Sequence, residues 1–343
     1  MYTAKPYRLS FVLLVVALLF SWLLNIGSGS VDIPFLEVVA SLFGGKSGVD
    51  SWEYIIWHYR IPKAFTAILV GGGLSLSGLL MQTLFRNPLA GPFVLGISSG
   101  ASLGAALLLM GASLLMGITS FSFLGDVSLA LAASIGSFLV LSVVVIVAQR
   151  VKDSMALLII GLMFGSITSA IVSVLAYFSS AENLQRFIFW SFGSVANLSS
   201  QQILLLLGIV TLGIVFSILS LKPLNALLLG ENYAQSLGIS LKKSRLLIII
   251  ATGLLAGGIT AFAGPIAFVG LAVPHLTRQI FDTMEHKVLI PAVFLYGAIL
   301  MLLCDMIAQL PNSANILPIN AITSLVGAPV VIWLLVRKRK MIF

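Results

Sequence analysis

Arg86-Asn87-Pro88-Leu89-Ala90-Gly91-Pro92-Phe93-Val94-Leu95-Gly96-Ile97-Ser98-Ser99-Gly100-Ala101 separates two apolar stretches that are each long enough to cross a bilayer. Its prolines, glycines and serines break a helix and leave backbone N–H and C=O groups without helical partners. At membrane depth such a segment is tolerated only where protein buries it or where it lines a cavity. A passive anchor has no use for it. The stretch therefore points to a polytopic membrane protein with a hinge or a pathway at this place.

Composition agrees. Of the 343 residues, 59% are hydrophobic and 9% charged, whereas a soluble domain carries about a quarter charged residues. Apolar runs of spanning length, about 20 residues each, are read at 9–26, 64–84, 93–115, 124–148, 155–178, 203–221, 246–263, 288–308 and 319–336. A tenth, 265–280, is interrupted by Gly270 and Pro274 and reads as a short or broken span.

Ten spans put both termini on one side, and the positive-inside rule selects the cytoplasm. On that topology 15 of the 19 Lys and Arg residues lie inside, leaving Lys46, Arg60, Lys63 and Arg186 outside. The net charge of +8 is thus a topology signal. The basic residues are scattered over loops rather than aligned in a stripe, which excludes nucleic acid as the expected partner. Lys5 and Arg8 precede the first span as they would a signal peptide, but the apolar run exceeds the usual h-region of about 7 to 15 residues. It is expected to stay as a helix. Cys304 is the lone cysteine, so neither a disulfide framework nor a cysteine metal site is available. The chain reads as one transmembrane domain over 1–343, with extracytoplasmic segments at 27–62 and 179–202 and a cytoplasmic loop at 222–243.

Gly91-Pro92-x-x-x-Gly96 follows the second span, and Gly264-Pro265-x-x-x-x-Gly270 follows the seventh. Similar breaks offset by five spans lie on opposite membrane faces, as an inverted-topology repeat of five would place them, with the pathway near the repeat interface. In the cytoplasmic loop, Pro223 stops the sixth span. A short helix, a glycine break at Gly230 and a second short helix from Glu231 to a C-cap at Gly238 are expected. Such a pair makes either a knob that docks in a partner's groove or a connector lying on the lipid surface.

Several motifs together resemble the FecCD family, the BtuC-like type II permeases of ABC importers for iron-siderophores, vitamin B12 and haem. They are Arg60-Ile61-Pro62-Lys63, Gln82, Arg86-Asn87-Pro88-Leu89-Ala90, Gly96-x-x-x-Gly100-Ala101, Gly230-x-x-x-Ala234-x-x-Leu237-Gly238, Gly264-Pro265-Ile266-x-Phe268-Val269-Gly270-Leu271-x-Val273-Pro274-His275-x-x-Arg278, Leu317-Pro318-Ile319 and Gly327-Ala328-Pro329. The resemblance runs from about Arg60 to Trp333 and does not single out a substrate. It implies an all-α, ten-helix subunit of the bacterial inner membrane that pairs with a second permease, identical or a paralogue. It also implies two cytoplasmic ATPases that bind ATP-Mg and an extracytoplasmic binding protein. This chain would carry no cofactor and no metal of its own. Inward movement of a metal chelate, a ferric siderophore ahead of cobalamin or haem, would proceed by alternating access.

By the same resemblance Gly230, Glu231, Ala234, Leu237 and Gly238 form the ATPase-coupling element. Arg60 and Lys63, three apart at the start of the second span, are expected to meet acidic residues of the binding protein. The chain departs from the family where Gln309 ends Cys304-Asp305-Met306-Ile307-Ala308-Gln309 in place of a frequent Arg, where Asn315-Ile316 replaces a frequent Glu, and where Asn320 replaces a frequent Gly. A third cationic docking contact is therefore absent from the expected set.

Gln82, Asn87, Pro88, Gly96, Ser98, Ser99, Gly165, Ser166 and Ser169 are expected along the pathway or its hinge. A lining of small, amide and hydroxyl residues suits a bulky neutral solute, since fixed charges are expected for bare ions. The alternative class, an ion-coupled secondary transporter, calls for paired carboxylates or lysines within spans. None is evident, and Asp305 reads as a lone acid near the outer end of its span. Gly45-Lys46-Ser47 lacks the first glycine of a Walker A motif and falls outside, so no ATP site is expected here. Gly96-Ile97-Ser98-Ser99-Gly100 matches a nucleophile elbow in letters only, with no strand and no third orienting group around it. His275 and Arg278 are expected to be structural, because no second ligand neighbours them.

Overall fold

The computed structural model describes residues 7–45, 49–111, 126–151, 154–196, 198–309 and 316–336. Every regular element among them is helical, apart from a lone antiparallel bridge between Gln309 and Ile316. Helix α1 is Arg8–Gly27 and α2 is Phe35–Leu42. Helix α3, Asp50–Ile55, runs through a π turn at Ile56–Arg60 into α4, Ile61–Leu84. After the broken segment comes α5, Ile97–Ala106, then α6, Asp126–Arg150, and α7, Ser154–Tyr177. Helix α8 is Ala181–Ser191 and α9 is Ser200–Leu219, the latter opened by a capping box between Ser199 and Gln202. Two short helices follow, α10 at Leu221–Leu228 and α11 at Glu231–Ser236. Helix α12, Leu241–Thr252, passes through a π turn at Gly253–Gly257 into α13, Gly258–Ala263. The remaining helices are α14, Val269–Phe281, α15, His286–Ala308, and α16, Ile319–Val336.

All ten expected spans coincide with helices. Seven are long and apolar enough to cross a bilayer, Ile97–Gly111 and Ile319–Trp333 are shorter apolar helices, and the broken tenth is the 13-residue α14. The expected end of the third span at 115 and start of the fourth at 124 lie outside the described residues, as do Lys5, Lys46, Ser47, Lys152, Asn315 and the basic run 337–340.

Helix α4 is the centre of the bundle, with α14 and α15 against it. Lipid tails are as apolar as leucine, so spans associate by close packing of small residues. On α4, a Cβ at Gly78 would overlap the Gly270 carbonyl of α14, so only glycine permits this approach. A second close crossing joins α5 to α6, where Gly100 and Gly136 face each other's backbones.

The two breaks repeat one design. Below α4, Arg86 takes φ +46°, a short 3₁₀ turn covers Pro92–Leu95, and left-handed Gly96 at φ +71° opens α5. Beyond α13, Gly264 has φ +71° and left-handed Phe268 at φ +65° opens α14. The counterpart of Gly96 is therefore Phe268, and the expected equivalence with Gly270 is corrected. Gly270 lies inside α14 against Leu74 and Pro92. A left-handed phenylalanine is strained and survives because the tertiary structure fixes it, its Cβ lying on Gly327 of α16.

Candidate transport site

The loop after α9 folds as the glycine pattern predicts. Gly230 separates α10 from α11 at φ +107° and Gly238 closes α11 at φ +79°, both conformations that favour glycine. Leu224, Ala226 and Leu227 bury α10 against the bundle. Glu231 accepts a 2.7 Å hydrogen bond from Arg245 Nη2, and Arg245 Nη1 donates to the Val151 carbonyl at 3.2 Å, which ties α11 to α12 and to the end of α6. Of the expected coupling residues, Glu231 and fully buried Ala234 thus face inward and hold the knob. Its outer surface includes Leu237 with Leu229 and Tyr233, which sequence reasoning left out, beside the polar Asn232, Gln235 and Ser236. The four-residue spacing of Tyr233 and Leu237, which places them on one helical face, was the available signal.

The broken segment 85–96 is fastened to α14. Gln82 is fully buried, donates to the Leu271 carbonyl at 3.1 Å and accepts from Arg278 Nη1 at 3.0 Å. His275 Nε2 lies 2.8 Å from the Pro88 carbonyl. Asn87 turns its side chain back to the Leu89 N–H at 2.9 Å, which shapes the turn. Of the two places expected for Gln82, pathway or hinge, its buried amide, spent inside the protomer, fits the hinge. His275 and Arg278 both make their contacts with this segment inside the protomer. Ser98 is 3.4 Å from the Thr260 hydroxyl, so the elbow-like serine and His275 are not partners.

Gly96, Ser99 and Gly165 come together where α5 meets α7. A Cβ on Gly96 would stand 3.1 Å from the Gly161 carbonyl, and one on Gly165 would stand 3.4 Å from Ser99 Oγ. Ser166 and Ser169 point away from the protomer and are exposed. With Ser173 they form a hydroxyl stripe along one face of α7.

On the opposite side from the knob, the two expected docking cations are engaged within the protomer. Arg60 is 7% exposed and donates to the carbonyls of Ile26 and Gly27 at 2.8 and 2.9 Å and to that of Val31. It thereby satisfies orphan carbonyls at the end of α1. Lys63 Nζ pairs with Asp305 Oδ1 at 3.0 Å, while Asp305 Oδ2 accepts from Asn25 at 2.9 Å and from Gln309 at 2.8 Å. The reading of both as exposed charges is corrected, as is the reading of Asp305 as a lone acid. The substitutes in the departing positions have work of their own. Gln309 supports Asp305, and the Asn320 side chain accepts the Ala267 N–H at 3.0 Å in the second break.

As a whole, the chain finds counterparts among known families and structures. The FecCD transport family matches residues 17–337. The chain belongs to the FecCD transport family. Among curated FecCD relatives, the vitamin B12 import system permease protein BtuC of Klebsiella pneumoniae is 37% identical over 91% of this chain and 93% of its own length. That of Salmonella typhi is 35% identical over 93% and 96%. A solved chain of a metal-chelate type ABC transporter, inward-facing, superposes with a TM-score of 0.83 at 29% identity, covering 97% of this chain and all of its own. PsaBC of Streptococcus pneumoniae, at a TM-score of 0.56 and 16% identity, shares the fold. This FecCD protein is the multi-pass permease subunit of an ABC importer.

Proposed function

We propose that this permease moves a bulky metal chelate inward across the bacterial inner membrane, with its termini in the cytoplasm. The α10–α11 knob carries the reading. It is short, exposes the large side chains of Leu229, Tyr233 and Leu237, and is inserted between α9 and α12. Such a knob fits a groove on a soluble ATPase, and its displacement moves the attached spans as bodies. In this reading ATP-Mg is held by two partner ATPases, and this chain holds neither nucleotide nor metal. A second permease copy or paralogue covers the α7 face, where Ser166, Ser169 and Ser173 give the pathway small side chains without fixed charge. A binding protein delivers cargo on the side of Arg60 and Lys63. Because both cations are engaged within the protomer, they shape that surface rather than supply its contacts. The names of the relatives, a vitamin B12 importer and a metal-chelate type transporter, support the chelate class, within which this reading keeps a ferric siderophore, cobalamin and haem.

The test is uptake by proteoliposomes holding the permease, its ATPase and its binding protein. Transport is expected to stop when the Walker lysine of the ATPase is replaced, and uptake that survives overturns the reading in favour of an ion-coupled carrier. The chelate retained by the co-purifying binding protein identifies the cargo.

A further inference from the structure

His286 is the first residue of α15 and is fully buried. The Asn225 side chain of α10 accepts its backbone N–H at 3.0 Å and lies 2.7 Å from its Nδ1. Its Nε2 lies 2.9 Å from Thr83 Oγ1, in the last turn of α4. A backbone N–H can only donate, so the Asn225 atom facing it is the carbonyl oxygen. The same oxygen then accepts the Nδ1 proton, which fixes the tautomer. Nε2 then carries the lone pair and accepts a hydrogen bond from the Thr83 hydroxyl, whose one proton is shared with the Leu79 carbonyl at the same 2.9 Å. Asn225 also stands in for a helix cap, since Glu285 at the N-cap of α15 makes no side-chain capping bond.

One imidazole thus joins the inner half of the knob, the most buried span and the long helix packed along it. A second polar tether, Glu231 to Arg245, reaches α12, which directly follows the knob in the chain. Asn225 and His286 are 61 residues apart, and Thr83 and His286 are 203 apart. Apolar contacts such as those of Leu224 and Leu227 can slide, whereas directional bonds through a fixed tautomer hold register. We propose that Asn225, His286 and Thr83 are positioning residues that carry movement of the knob into α4 and α15. The proposal rests on the importer reading above.

The experiment measures cargo moved per ATP hydrolysed in the reconstituted complex, together with thermal stability in detergent. Asn225→Ala is expected to lower cargo per ATP at least fivefold while ATP hydrolysis stays within twofold. Thr83→Val, nearly isosteric, should shift the ratio in the same direction and guards against a folding defect. Asn225→Asp keeps an oxygen for both bonds and is expected to restore the ratio to within twofold of the parent. Leu224→Ala, which loosens the same helix without touching a hydrogen bond, is expected to lower stability and leave the ratio intact. An unchanged ratio in Asn225→Ala and Thr83→Val overturns the proposal. So does an Asn225→Asp protein as impaired as Asn225→Ala, or a ratio that follows stability across all four variants. Parent uptake that ignores the ATPase strikes the importer reading first, before any variant is compared.

Discussion

Helices α4 and α7 are both 24 residues long, yet α4 is almost wholly buried and α7 mostly exposed. The buried helix is the less apolar of the two. In a bilayer, apolarity decides that a segment stays in the membrane, and side-chain size decides which neighbour it meets. Helix α4 presents glycines and serines to α14 and α15, and backbone comes against backbone. Helix α7 turns Ser166, Ser169 and Ser173 outward, where Ser166 and Ser173 satisfy themselves on their own helix at Leu162 and Ser169. A hydroxyl face on the outside of a protomer is useful only against a partner or an aqueous path.

That contrast breaks most visibly at Gly78. Gly78→Val sets a side chain into the Gly270 backbone, and the expected outcome is loss of folded, monodisperse protein by size-exclusion chromatography, since overpacking costs about 1–3 kcal/mol even where neighbours can yield. A near-normal yield would show that α4 is not the rigid centre. Lys63→Met removes the partner of buried Asp305 and is expected to cost about 3 kcal/mol in detergent unfolding. Most of that should return in the double variant Lys63→Met/Asp305→Leu, in which no charge is left behind. On α7 the order inverts, because Ser169→Phe should leave stability within about 0.5 kcal/mol and yet cut uptake at least tenfold. Uptake equal to the parent would remove the pathway from this face. The smallest effect is expected for Ser166→Ala, whose hydroxyl bonds only its own helix. Both stability and uptake should remain at parent values, and a large loss would assign that hydroxyl to the cargo.

The legible part of the site was backbone chemistry. Gly230 and Gly238 announced the knob because few other residues take positive φ, and they stand where expected. Phe268 could not be read in this way, since its left-handed conformation is imposed by α16 and leaves no glycine in the sequence. The charged residues were the least legible. Arg60 and Lys63 looked like surface cations because their partners, the end of α1 and Asp305, are contributed by segments distant in the chain. Gln82 fitted pathway and hinge alike until α14 was found to occupy both ends of its amide.

By itself the sequence determined the membrane class, the ten helical segments, the two breaks, the knob and the family, because hydropathy, glycine and proline act within a few residues of chain. Only the tertiary structure decided which spans are central, which polar side chains are spent inside the protomer and which face outward. Those outcomes depend on the close approach of small residues and on hydrogen bonds between helices. Both are fixed by the arrangement of the bundle and leave no local mark in the chain.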